Sequence, residues 1–280
     1  MLTDAKVGLG LRREMLDEFN HFVPDDIHFF EVAPENWMKL GGQFQKPFRA
    51  LTERYEFYTH GLSLSIGGPE KLDVAFVKEV KQFLDLHQIK IYSEHLSYCS
   101  GLGHLYDLMP IPFTQEAVFH VVERVKQVQD IIERPLILEN VSFYAAPSAE
   151  MTELDFIKAV LAEADCQLLL DINNIYVNSV NHGYDAREFL KAIPHRYIAY
   201  LHIAGHYQQE EDLIIDTHGA NITDPVWTLL KECYDIHGVF PTLLERDFNI
   251  PKTEELLIEI KKIKQYQNAG IDFHHLSRSA

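Results

Sequence analysis

Apolar residues along this chain fall into two alternating patterns. Short, nearly continuous apolar runs read as strands buried on both faces: "KVGLGL", "IHFFEVA", "FYTHGLSLSI", "IKIYSEHLS", "PLILENVSF", "CQLLLDI", "YIAYLHIAG" and "FPTLLERD". Longer stretches between several of them repeat their apolar residues at helical spacing, as in "KLDVAFVKEVKQFLDLH" and "TQEAVFHVVERVKQVQDII". A last helix, "PKTEELLIEIKKIKQYQ", opens on Pro251, where helix N-termini favour proline. Eight strand–helix units in 280 residues fit an α/β (β/α)8 TIM barrel, whose usual size is about 250 residues. A doubly wound open sheet has a similar rhythm. However, "GLGLRREM" supplies only Gly8 and Gly10, so the glycine-rich turn of a dinucleotide site is missing. No linker or low-complexity tract divides the chain, and a single domain over residues 1–280 is expected.

Composition narrows the partners. A net charge of −17 disfavours nucleic acid, whose phosphates want a basic face. The N-terminal "MLTDAKVGLGLRREMLDEF" is charged throughout and lacks a signal core, and no segment approaches the ~20 apolar residues of a membrane span. Cys99, Cys166 and Cys233 are odd in number and form no CxxC pair, which points to a reduced, cytoplasmic setting.

From the third run onward the strands share a feature: each ends in a residue able to bind metal. These are His60 in "FYTH", Glu94 and His95 in "IYSEH", Glu139 in "LILEN", Asp171 followed by Asn174 in "LLLDINN", His202 in "AYLH" and Glu245 in "TLLE". "LIIDTHG" adds Asp216 and His218, two apart and so on one side of an extended segment. In a barrel the C-terminal strand ends converge on one mouth, where active sites are built. A charge at the end of a buried strand is costly unless paired or metal-bound. One histidine of this kind is ordinarily structural, but a whole set in the same local position argues for a common purpose. Glu94 and His95 are adjacent and point to opposite faces, so only one can face the site; His95 is the choice.

Four carboxylates, four imidazoles and one amide exceed the needs of one ion and suit two or three, with a bridging carboxylate. Mixed N/O ligands without thiolate fit Fe, Mn or Zn. Three divalent ions would set +6 against −4 from Glu139, Asp171, Asp216 and Glu245, leaving about +2 to attract an anion such as a thiolate. The remaining histidines (His21, His87, His120, His195, His237, His274 and His275) read as structural or solvated. Neither GxSxG nor GxxxxGK[ST] is present. Cys99 in "SYCSG" lies just past a strand end and reads as a small buried residue rather than a nucleophile.

Taken in order, "HGLSLSIGG", "SEHLSY", "LENVSFY", "LDINNIYVNSVNHG", "LHIAGH", "DTHG" and "LLERD" resemble the multinuclear non-haem iron-dependent oxidative enzymes, along nearly the whole chain. The resemblance implies a xylose-isomerase-like, endonuclease-IV-like barrel holding two or three iron ions. It places His60, His95 and Glu139 on one ion, with Glu139 bridging to a second held by Asp171, His202 and Glu245. Asn174, Asp216 and His218 would hold the third. Endonuclease-type relatives have a histidine where Asn174 stands, so that ion would be held loosely, with His182 nearby as a substitute. The resemblance further implies O2-dependent modification of cysteine in a ribosomally made precursor peptide by a mixed-valent Fe(II)/Fe(III) pair. It also implies a partner protein that presents the peptide leader. A positive pocket would bind the cysteine as thiolate. Asp247, two beyond Glu245, is the candidate for moving protons, with His206 of "HIAGH" behind it. The first rival is a hydrolase or isomerase of the same superfamily, using Zn or Mn on a sugar or nucleic acid. The second is a non-catalytic metal-binding or scaffold protein.

Overall fold

The structure, a computed structural model, describes residues 5–101 and 103–279, with side chains throughout except at 104, 106 and 275–279. The first four residues of the N-terminal stretch, and the side chain of His275, lie outside the described residues.

Each apolar run contains one strand of a closed parallel barrel. The strands are β1 (Val7–Gly10), β2 (Phe29–Val32), β3 (Glu56–Gly61), β4 (Ile91–His95), β5 (Ile137–Glu139), β6 (Gln167–Asp171), β7 (Ile198–Ile203) and β8 (Thr242–Leu244). Their order round the barrel is β1-β8-β7-β6-β5-β4-β3-β2, which is the expected TIM barrel. The strands are short and apolar because both faces are covered: Leu168, Leu169 and Leu170 are fully buried, as are Leu243 and Leu244. Parallel pairing sets neighbours in register, with His60 beside Ser93 and His95 beside Glu139.

The helices form where their caps and apolar stripes dictate. Helix α1 (Val74–Leu86) buries Val77, Val80, Phe83 and Leu84, and the Asp73 side chain accepts from the N–H of Phe76 at its start. Helix α2 (Gln115–Ile132) is capped likewise by Thr114. Helix α3 spans Ile172–His182. Asp171 ends β6 and in the same position caps α3, so strand becomes helix with no intervening residue. The last helix, α4, spans Thr253–Ser279 and extends well past the apolar pattern that foretold it.

Two antiparallel ribbons stand outside the barrel. One pairs Tyr98–Ser100 with His104–Met109, and the other pairs His206–Glu210 with Leu213–Asp216. "LIIDTHG" is thus half of a ribbon. The chain packs as two compact units, one made of the N-terminus to Gly10, Pro24–Phe29 and Leu170 onward, the other of Leu11–Val23 and Phe30–Leu169.

Gly205, between β7 and the second ribbon, is a point of close approach. A Cβ there would run into the backbone carbonyl of Ala220, in the loop that carries His218. Gly205→Ala should therefore cost about 1–3 kcal/mol of stability, the usual penalty of overpacking. Urea unfolding measures this, and an unchanged midpoint would contradict the close approach.

Candidate metal centre

In the unit containing β3, β4 and β5, three side chains meet. His60 Nε2 lies 3.0 Å from Glu139 Oε2, and His95 Nε2 lies 3.3 Å from the same oxygen. The two Nε2 atoms are 3.1 Å apart. The far side of each ring fixes its tautomer. His95 Nδ1 is 3.0 Å from the Gly61 carbonyl, which can only accept. His60 Nδ1 is 2.8 Å from Ser93 Oγ, whose own hydrogen goes to the Thr59 carbonyl. In its neutral form each ring therefore carries its proton on Nδ1 and aims Nε2 inward. Two ring nitrogens and a carboxylate oxygen thus face one another in a buried space, an arrangement that a cation would stabilise. Metal–ligand bonds of about 2.1 Å place neighbouring ligand atoms about 3.0–3.4 Å apart. The observed separations fit that spacing.

Glu94, next to His95, takes the other face. It is buried and accepts from Tyr92 Oη at 2.6 Å. Burial, then the nearby Glu35, pushes its carboxyl well above the usual range. Glu35, not foreseen from sequence, accepts from the N–H groups of Leu62 and Ser63 at 2.8 and 2.9 Å, and so fixes the turn after His60. Burial raises its pKa too. Cys99 donates its thiol hydrogen to the Leu62 carbonyl and is held above the ordinary thiol value by burial, the opposite of an activated nucleophile.

The other unit gathers the acids. Asp171, His202 and Glu245 offer ligand atoms within 4.8 Å of one another. His202 Nδ1 is 2.9 Å from Glu245 Oε2 and 4.0 Å from Asp171 Oδ2. Asp171 Oδ1 meanwhile accepts from the Asn174 N–H at 2.6 Å, the helix cap. Beside them, His218 Nε2 lies 2.8 Å from Asp216 Oδ1, while its Nδ1 is 3.3 Å from Glu245 Oε2 and 3.2 Å from Asp247 Oδ2.

Asp216 and His218 do meet, though not by sharing one side of an extended segment. The chain turns sharply, with His218 at φ +46° in the left-handed region. Asp247, singled out as a proton carrier, sits at ligand distance, and its N–H bonds the His218 carbonyl at 2.9 Å. Burial alone would lower the His218 pKa, yet Asp216 and Glu245 outweigh it and hold the imidazole well above its ordinary value. Glu245 is opposed by burial and pulled well below the carboxylate range by His218 and His202.

The two adjacent asparagines make different contacts. Asn174 is buried in the first turn of α3, with its backbone on Asp171. Its neighbour Asn173, which the sequence reading passed over, donates to Asp216 Oδ1 at 2.9 Å and accepts from His206 Nδ1 at 2.8 Å. His206 is thus tied to Asp216 through Asn173, and burial lowers its pKa. His182 is exposed at the far end of α3, roughly 15 Å along the helix from its start, and cannot stand in for Asn174. The apolar spacing Ile172, Ile175, Tyr176 was the available signal for the helix, and hence for the facing of Asn173.

Both groups supply nitrogen and oxygen without thiolate, the donor set of borderline ions such as iron, manganese and zinc. With its imidazole held well above the ordinary value by Asp216 and Glu245, His218 would have to give up a proton to bind a metal ion. Zinc titration in weak buffer near pH 7 should therefore release protons, and affinity should rise with pH. A binding constant indifferent to pH would remove His218 from the ligands. Asn173→Ala should weaken metal retention about 10–100-fold with the fold intact, as expected when a ligand loses its orienting partner. Metal analysis after dialysis, beside a circular dichroism spectrum, tests this.

The profile of a family described as RiPP precursor modification enzyme MbnB/TglH/ChrH matches residues 6–268. A UPF0276 protein of Shewanella sediminis is 72% identical over 280 residues, covering all of both chains. A UPF0276 protein of Pseudomonas aeruginosa is 54% identical over 260 residues, or 93% of this chain and 92% of that one. Among solved structures, a D-tagatose 3-epimerase-like protein has a TM-score of 0.64 at 13% identity, covering 95% of this chain and 99% of its own. The IOLI protein with a binding zinc atom scores 0.57 at 12% identity, covering 95% and 96%. These structural likenesses extend to the barrel alone, whereas the family match runs through every strand-end residue described above, and the chain belongs to the RiPP precursor modification enzyme family MbnB/TglH/ChrH.

Proposed function

We propose that this protein is an iron-dependent oxidase that uses O2 to modify cysteine in a ribosomally made precursor peptide. The observation that carries the reading is the convergence of His60, His95 and Glu139 as three inward-facing acceptors, in a chain of a precursor-modifying family. These three would hold one ion. Asp171, His202 and Glu245, with Asp216, His218 and Asp247 beside them, would hold one or two more. Bound iron would supply the redox capacity, passing electrons from the cysteine to O2.

The protein's own groups do the rest. Ser93 and the Gly61 carbonyl keep the His60 and His95 lone pairs directed inward before any ion arrives, so little ordering remains to be done on binding. Asn173 holds Asp216 in place, with neutral His206 behind it. Asp247 is the group we assign to proton transfer. It is the most exposed carboxylate of its cluster, with 36% of its side chain accessible, so an incoming substrate can reach it. Its partner His218 can take up or return the proton. A leader-presenting partner protein and a cytoplasmic setting belong to the same reading. Among the described residues, no helix is long and apolar enough to cross a membrane.

Protein purified without oxygen should contain iron, and a co-expressed cysteine-bearing precursor should change mass at cysteine only when O2 is present. Firmly bound zinc without iron, together with turnover of a sugar, would favour the isomerase alternative. Asp247→Asn should keep its iron while turnover falls about 100-fold or more, the scale of a general acid–base contribution. Unaltered turnover would reduce Asp247 to a structural partner of His218.

A further inference from the structure

We propose that the outer strand of the second ribbon, His206–Glu210, is a docking edge for the extended peptide. The peptide pairs as an added strand and sets a basic side chain over the acidic turn Glu210–Glu211–Asp212. This deepens the function proposed above and rests on it for the identity of the peptide.

The direction of the backbone groups can be read from Asn181. Its side-chain amide donates to the Ile214 carbonyl at 2.9 Å and accepts from the Ile214 N–H at 2.8 Å. Both main-chain groups of Ile214 therefore point away from the strand opposite. Ile214 is in register with Gln208. In an antiparallel pair, a residue whose groups face outward sits across from another whose groups face outward the other way. The N–H and C=O of Gln208 thus lie on the far edge, and alternation puts those of His206 there too. One edge of the ribbon is covered by Asn181, an amide acting in place of a strand. The other has no strand partner among the described residues. Tyr207, Gln208, Gln209 and Glu210 along it are all exposed. Uncovered edges recruit other chains, and proteins commonly block them. Among the described residues no strand covers this one, which lies beside a candidate metal centre and carries at its outer end the bond from Gln208 Nε2 to the Glu210 carbonyl at 2.6 Å.

The edge has a direction. Its inner end, His206, is buried on Asn173, which holds Asp216. Its outer end is the exposed turn Glu210–Glu211–Asp212, three carboxylates in succession on a protein of net charge −17. An added strand would run from the Asp216–His218 pair outward for about 13 Å, or four residues. Main-chain hydrogen bonds supply affinity whatever the peptide sequence. The acidic turn selects a lysine or arginine at the outer end and thereby fixes register. The inference is a spacing rule, with a reactive cysteine and a basic residue about four positions apart.

The probe is a synthetic twelve-residue peptide with one cysteine and a lysine four residues from it, otherwise threonine, serine and valine. Fluorescence anisotropy reads its binding to iron-loaded protein under argon. N-methylation of alternate peptide residues, and separately Gln208→Pro in the protein, should each weaken binding roughly tenfold, the worth of one or two lost hydrogen bonds. A peptide with glutamate in place of its lysine should bind poorly to the native protein and better to Glu211→Lys. Failure of the lysine peptide to bind overturns the proposal, as does equal binding of the N-methylated peptide, an arm that needs no variant protein. The two readings separate in air. Conversion of a precursor at native efficiency by Gln208→Pro would overturn the docking edge alone. Edge-dependent binding under argon with no conversion in air would overturn the oxidase alone.

Discussion

The arrangement rests on one electrostatic constraint: acceptor atoms have been driven together where water cannot separate them. His60 and His95 have their protons engaged on the far side of each ring, so what they show each other, and Glu139, is electron density. A buried group of this kind is unfavourable by itself. A cation would supply the favourable other half of the interaction. The acid-rich group around Glu245 follows the same logic. There, among the described residues, the imidazolium of His218 stands against the carboxylates of Asp216, Glu245 and Asp247.

The barrel makes that constraint bearable. Parallel strands buried on both faces are apolar along much of their length, and the chemistry gathers at or near their last residues. His95, Glu139 and Asp171 each end a strand. Short strands also align neighbours closely enough for one residue to orient the next, as Ser93 orients His60 across the β3–β4 pair. The orienting residues are ordinary ones (a serine, a backbone carbonyl, an asparagine), and each acts by settling where a hydrogen sits.

The fold was legible because its signal is a repeated one: eight apolar runs, the last six ending in polar chemistry, leave few architectures to choose from. The strand-end residues were legible for the same reason. What sequence could not supply was direction over short distances. Asn173 and Asn174 are neighbours with the same chemistry, and only the helical turn begun at Ile172 decides which amide reaches Asp216. Period-two reasoning suited the strands and failed at "DTHG", where a left-handed residue replaces extended chain. His206 and Asp247 were paired by proximity to conspicuous motifs, whereas the chain joins each to a different member of the Asp216–His218 pair.

Helix α3 joins two features that have been treated separately. At its first turn stands Asp171, one oxygen on the helix cap and the other toward His202. In its last turn stands Asn181, whose amide grips the ribbon at Ile214. A straight helix of this length is a stiff rod of about 15 Å, so a tilt of about 4° at one end shifts the other by about 1 Å. A tilt of the helix at the Asp171 end would therefore move, as by a lever, the strand against which the ribbon's outer edge is registered.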